Sequence, residues 1–118
     1  MQGENNVITE TAPEVSVVTE TPTEVSVVYA TDYLNKLTGE KIERECKERL
    51  KGGCKTLVVN FRQTELVNSI GVSILLGVID AANSAGAKVV FSDMNQNTVE
   101  LFDMLGVTRH VELSQQSA

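Results

Sequence analysis

The polar and apolar positions of this chain fall into segments of different period. Residues 24–30, Glu-Val-Ser-Val-Val-Tyr-Ala, combine β-branched residues with partial alternation, which predicts a strand. Ile42, Cys46 and Leu50 then recur at i, i+4 and i+8, the narrow apolar stripe of a helix. Thr38 is expected to cap this helix, with Leu37 stapled onto Ile42. Glu43–Lys47 and Glu45–Arg49 are i,i+4 pairs on its wet face. Gly52 and Gly53 end it. Cys46 sits on the buried stripe, where it reads as a small inert thiol.

Lys55–Phe61 has a Leu-Val-Val centre, as in a strand covered on both faces. A loop, Arg62–Val67, follows. Ser69–Ala85 is apolar nearly all round and predicts a central buried helix, closed by Gly86. Lys88–Ser92 reads as another buried strand. Asn97–Leu105 reads as a third helix, with Asn97 and Glu100 in a capping-box-like start and Gly106 as the stop. Val107 and Arg109–Leu113 leave room for a short edge strand. The order β-β-α-β-α-β-α predicts a single α/β domain. Its mixed sheet would have four to five strands, with about three helices packed on it and right-handed crossovers.

The N-terminal part carries a repeat. Residues 9–18 read TETAPEVSVV and residues 19–28 read TETPTEVSVV, identical at eight of ten positions. Ten residues twice is too short for a solenoid. Each copy holds the strand signal Glu-Val-Ser-Val-Val, and Pro22 between them is a turn signal. Two readings follow: Glu14–Val18 and Glu24–Ala30 form a hairpin, or only the second copy is folded and the first is a tail. Residues 1–13 are expected to be a flexible tail, 14–113 the domain, and 114–118 a frayed end.

Composition narrows the function. The 118 residues carry a net charge of −6, which argues against nucleic acid and anionic membrane surfaces. Two Tyr, three Phe and no Trp make a base-stacking platform improbable. The longest apolar run, Gly71–Val78, is too short to span a bilayer. The first ten residues lack a basic segment followed by an apolar one, so a cytoplasmic chain without a signal peptide is expected. Cys46 and Cys54 are then expected as free thiols. With one histidine, His110, and no Cys-x-x-Cys, a metal site is not expected.

Ser69 is the most informative polar residue. As the expected N-cap it would accept from the backbone N–H of residue 71 or 72 and hold its hydroxyl at a surface turn. A phosphate there would meet unpaired N–H groups and the positive helix end, while adding about −1.5 to −2 charges. Gly71 spares the site a side chain. From local sequence alone, Ser69 as a plain cap and Gly71 as a packing residue explain the same pattern.

The segment from Thr56 to Leu113 resembles the STAS family, the anti-sigma factor antagonists and their relatives. The matching elements are Leu57–Phe61, Asn68-Ser69-Ile70-Gly71, Val72–Ala85, Gly86, Lys88–Ser92 and Leu101-Phe102-Asp103-Met104-Leu105-Gly106. Two positions depart from the family pattern. Asn68 stands where the family has Asp, and Ala30-Thr31-Asp32 replaces its Gly-Glu-Leu/Ile. The resemblance implies a bacterial partner switch without cofactor. The unphosphorylated domain binds an anti-sigma factor that is also a serine kinase, phosphorylation of Ser69 ends the contact, and a serine phosphatase restores it. The implied contact ground is Thr31, Asp32, Tyr33, Arg62, Glu65, Asn68, Ser69, Ile70, Gly71 and Val72. A STAS scaffold or relay that is never phosphorylated, with an output other than a sigma factor, is the alternative reading.

No pattern points to an enzyme: the chain has no Gly-x-Ser-x-Gly elbow, P-loop or Gly-x-Gly-x-x-Gly. His110 is the one candidate base for Ser69 and lies far along the chain. Asp32, Asp80, Asp93 and Asp103 read as solvated or capping residues.

Overall fold

A computed structural model describes residues 24–114. The first repeat copy, the expected tail 1–13 and the hairpin arm Glu14–Val18 therefore lie outside the described residues. The elements follow the predicted alternation. They are β1 (Val25–Tyr29), β2 (Tyr33–Leu34), α1 (Lys36–Lys51), β3 (Thr56–Asn60), β4 (Leu66–Val67), α2 (Ser69–Ser84), β5 (Lys88–Ser92), α3 (Gln96–Met104), a 3-10 turn (Val107–His110) and β6 (Glu112–Ser114). The main sheet has the order β1-β3-β5-β6, and a separate two-stranded ladder joins β2 to β4. Every described pairing is parallel. Each step across the main sheet contains a helix, as parallel strands require. Ser114, expected in the frayed end, closes β6 and accepts from the Asp93 N–H at 2.9 Å.

Alternation fixes which residues face the helices. Val28, Leu57, Val59, Val89 and Phe91 share one core with Ile42 and Cys46 of α1, Leu75 and Val78 of α2, and Phe102 of α3. Phe61, Phe91 and Phe102 meet edge to face, with centroids 4.9–5.8 Å apart, the geometry aromatic quadrupoles favour. The opposite residues, Val25, Val27, Tyr29 and Val58, line the other sheet face. α1 and α2 pack together at Gly39, where an added Cβ would lie 3.0 Å from Ile74 Cδ1.

The helix starts differ from the sequence expectation, and all three differ in the same way. Asn35, Asn68 and Asn95 are the N-caps, and each Oδ1 accepts the backbone N–H three residues on, at 3.0, 2.8 and 2.8 Å. Thr38, expected as a cap, is the third helical residue. Its hydroxyl accepts from the Asn35 N–H at 3.0 Å, completing a capping box. Leu37 is 66% exposed, so it does not staple onto buried Ile42. Ser69 is the first helical residue rather than the cap, and Asn97 lies inside α3. The helix stops agree with expectation: Gly53, Gly86 and Gly106 take the left-handed φ of 93°, 75° and 80° that glycine adopts without strain.

Candidate functional site

Two loops converge beside the start of α2. Thr31–Asn35 runs from β1 into α1, and Phe61–Asn68 runs from β3 into α2. They are stitched along their length. The Asp32 carbonyl accepts from the N–H groups of Glu65 and Leu66 at 2.8 and 3.1 Å, and the Leu34 carbonyl accepts from Asn68 N–H at 2.9 Å. The Thr64 hydroxyl donates to the Thr31 carbonyl at 2.7 Å. Asn95 ties in α3 by donating to the Thr64 carbonyl at 3.1 Å. The expected loop Arg62–Val67 thus contains a short strand, β4, paired with β2.

This stitching brings Thr31, Asp32, Tyr33, Glu65, Asn68, Ser69 and Ile70 to one surface. Tyr33 and Leu66 are register partners on the ladder's outer face, while Leu34 beneath is fully buried. Exposed Tyr33, Leu66 and Ile70 make apolar ground around Ser69, and Leu37 extends it from the first turn of α1. Leu66 lies in the Arg62–Asn68 loop expected in the contact ground, whereas Leu37 is an exposed residue that the sequence does not mark, because the staple pattern points it inward.

Gly71 and Val72 face inward. A Cβ at position 71 would lie 2.7 Å from the Leu34 carbonyl oxygen and 2.8 Å from its Cγ. Gly71 is thus where α2 touches the β2 segment backbone, and any larger residue would push them apart. Val72 is 4% exposed and belongs to the core. Both support the turn from below.

Ser69 is exposed, and its hydroxyl has no hydrogen-bond partner among the described residues. Asn68 carries the capping instead: its side chain takes Gly71 N–H and its carbonyl takes Val72 N–H at 3.2 Å. The Ser69 and Ile70 N–H groups, in the first turn of α2, have no partner within the helix, and such groups at a helix start favour an anion.

Arg62 goes elsewhere. Its guanidinium lies 3.8 Å from Asp93 and lines a cavity of about 250 Å³ on the other sheet face. Asp93 departs from the expectation of a solvated residue: it is only 8% exposed, at φ 58°. It accepts from Asn60 Nδ2 at 2.9 Å, and Asn60 also donates to Ser92 Oγ at 3.0 Å. Asp80 and Asp32 are exposed, and Asp103 accepts from the Thr108 hydroxyl at 3.0 Å.

His110 lines a pocket with Asn83, near the end of α2 opposite Ser69. At 1.5 Å per residue that separation is roughly 20 Å, which rules out a Ser69–His110 catalytic pair. Cys46 and Cys54 are free and buried. Burial, with the Glu45 carboxylate adding to it, pushes the Cys46 thiol up to about 12, so it is neutral and unreactive at physiological pH. No helix among the described residues is long and apolar enough to cross a membrane.

Comparison with known proteins agrees with the fold. The STAS domain family model matches residues 16–118. Among solved structures, the anti-sigma factor antagonist SpoIIAA in its unphosphorylated form superposes with a TM-score of 0.69 at 15% identity, over 84% of this chain and 85% of that one. The phosphorylated form of the Bacillus protein superposes at 0.65 and 16%, over 84% and 88%. The STAS domain of a SulP transporter from Vibrio cholerae superposes at 0.66 and 18%, over 80% and 76%. Likenesses at such identity speak for the fold alone. No curated protein matches the sequence.

Proposed function

Because the chain belongs to the STAS family, we propose that it is a cytoplasmic partner-switching protein that binds an anti-sigma factor with serine kinase activity and is released by phosphorylation of Ser69. It acts as a binding module, not an enzyme. The observation that carries this reading is the Ser69 hydroxyl, exposed and without a hydrogen bond among the described residues, beside the exposed apolar side chains of Tyr33, Leu66 and Ile70.

Such ground suits a protein partner, because burying those side chains supplies association energy at roughly 25 cal/mol per Å² of apolar area. It also suits a switch. A phosphate brings about −1.5 to −2 charges into the middle of the patch. Docking would then have to desolvate that charge, which is costly unless the partner pairs it. Reversing a population from 1:99 to 99:1 takes about 5.5 kcal/mol. Asn68 fits the reading as a cap that leaves the serine oxygen available to the kinase. A serine phosphatase would reset the domain.

The test is calorimetric titration of a serine-kinase anti-sigma factor from the same host into wild type and Ser69→Glu. Tenfold or greater weakening in the variant, about 1.4 kcal/mol, supports the switch. Equal binding of both forms favours a STAS scaffold that phosphorylation does not control. No binding to either removes the anti-sigma partner from the reading.

A further inference from the structure

Among the described residues the helices pack on one face of the main sheet, and the other face carries a cavity of about 250 Å³. The strand register orders its lining. Val27 pairs with Val58 in the middle of β1 and β3, whereas Tyr29 pairs with Asn60, and Asn60 with Ser92, at the carboxyl ends of the strands. Val25, Val27 and Val58 therefore form an apolar wall, and Asn60, Ser92, Asp93 and Arg62 form the polar end beyond it. Open α/β sheets bind ligands outside the carboxyl ends of their strands. Small-molecule sites combine apolar walls with a few convergent polar groups.

Two opposite charges stand at the polar end. The Asp93 side chain is 3% exposed and held in place: its Oδ2 accepts from Asn60 Nδ2 at 2.9 Å, and its backbone N–H donates to the Ser114 carbonyl at 2.9 Å. Asn60 Oδ1 accepts from the Arg62 N–H at 2.9 Å, so the same buried amide fixes where Arg62 leaves the strand. The Arg62 guanidinium is 64% exposed and lies 3.8 Å from the Asp93 carboxylate, too long for a direct hydrogen bond. A ligand can therefore engage both groups from the cavity that they line.

This charge arrangement selects the ligand. A carboxylate brought alone to Arg62 meets the Asp93 carboxylate, and an amine brought alone to Asp93 meets the Arg62 guanidinium. A zwitterion satisfies both. At about 30 Å³ per water-sized group, the cavity holds roughly eight non-hydrogen atoms, the size of a branched-chain amino acid.

We propose that this cavity binds a small aliphatic α-amino acid, with its ammonium on Asp93, its carboxylate on Arg62 and its side chain against Val25, Val27 and Val58. Neither Ser69 nor its phosphorylation enters this site.

An amide NMR titration of the full-length chain tests it, with leucine, isocaproate, isoamylamine and glycine as probes. Leucine shifts the amides of Asn60, Arg62 and Asp93 along saturating curves in the millimolar range. Isocaproate lacks the ammonium, isoamylamine the carboxylate and glycine the aliphatic side chain, and each binds at least tenfold more weakly. Arg62→Gln, at an exposed side chain, keeps the spectrum of a folded chain and binds leucine at least tenfold more weakly. Arg62→Glu puts two carboxylates at the site and prefers isoamylamine to leucine. The absence of saturable shifts with leucine, equal affinity for leucine and isocaproate, or unchanged affinity in folded Arg62→Gln overturns the proposal. So do saturating shifts confined to the amides around Ser69.

Discussion

The side-chain oxygen of Asn68 accepts the backbone N–H of Gly71 at 2.8 Å. One bond therefore closes the first turn of α2 and leaves the serine between those residues unengaged. Removing the cap should cost about 1 kcal/mol, so Asn68→Ala lowers the urea midpoint without changing the m-value. Asn68→Asp keeps the acceptor and adds a negative charge at the positive helix end. It should gain about 0.3–1 kcal/mol at neutral pH, with the gain shrinking in high salt.

Gly71 answers to a different constraint. Its Cα lies against the Leu34 backbone, and Gly71→Ala must shift α2 from the β2 segment or strain the contact. A loss of about 1–3 kcal/mol is expected from chemical denaturation. An unchanged midpoint would show that the two segments separate easily.

These two positions mark how far the sequence was readable. Helices, strands and stops follow from long apolar periods and glycines, so α1, α2, β3 and β5 were legible. Helix starts were not, because several polar residues stand near each one. At Asn35 and Thr38, both side chains can cap, and the choice depends on the backbone of the preceding residue. The ladder of Tyr33–Leu34 with Leu66–Val67 is held by backbone bonds between distant segments, which leave no periodic trace. Asp93 was misread for the same reason: Asn60 and Arg62 reach it across more than thirty residues of chain. Ser69 as a candidate site was legible only through its place in an ordered family pattern, since its local sequence reads equally well as a cap.

Leu66 and Tyr33 should separate binding from folding. Both are exposed, so Leu66→Ala and Tyr33→Ala should move stability by no more than about 0.5 kcal/mol. Partner affinity should fall at least severalfold for each in a titration. Normal affinity in both would move the contact surface away from the β2–β4 ladder.

Cys46 makes stability depend on pH in the alkaline range. In the unfolded chain the thiol ionises near its ordinary value of 9.0, whereas burial holds it neutral up to about 12 in the folded chain. Its contribution is fully present below pH 9 and declines between those values as the unfolded state gains charge. Thermal melts from pH 8 to 10.5 should show this decline, and the slope should be shallower in Cys46→Ala. Native Cys46 should also resist thiol reagents at pH 8 that label it promptly in urea.

The proposed switch stands or falls with phosphorylation of Ser69. Its most direct measurement is phosphate incorporation: incubate the chain with ATP and a serine-kinase anti-sigma factor from the same host, then map the product by mass spectrometry. One phosphate on Ser69, absent in Ser69→Ala, is the predicted result. Phosphate on another residue, or none while the kinase phosphorylates a different STAS protein in the same assay, would contradict it.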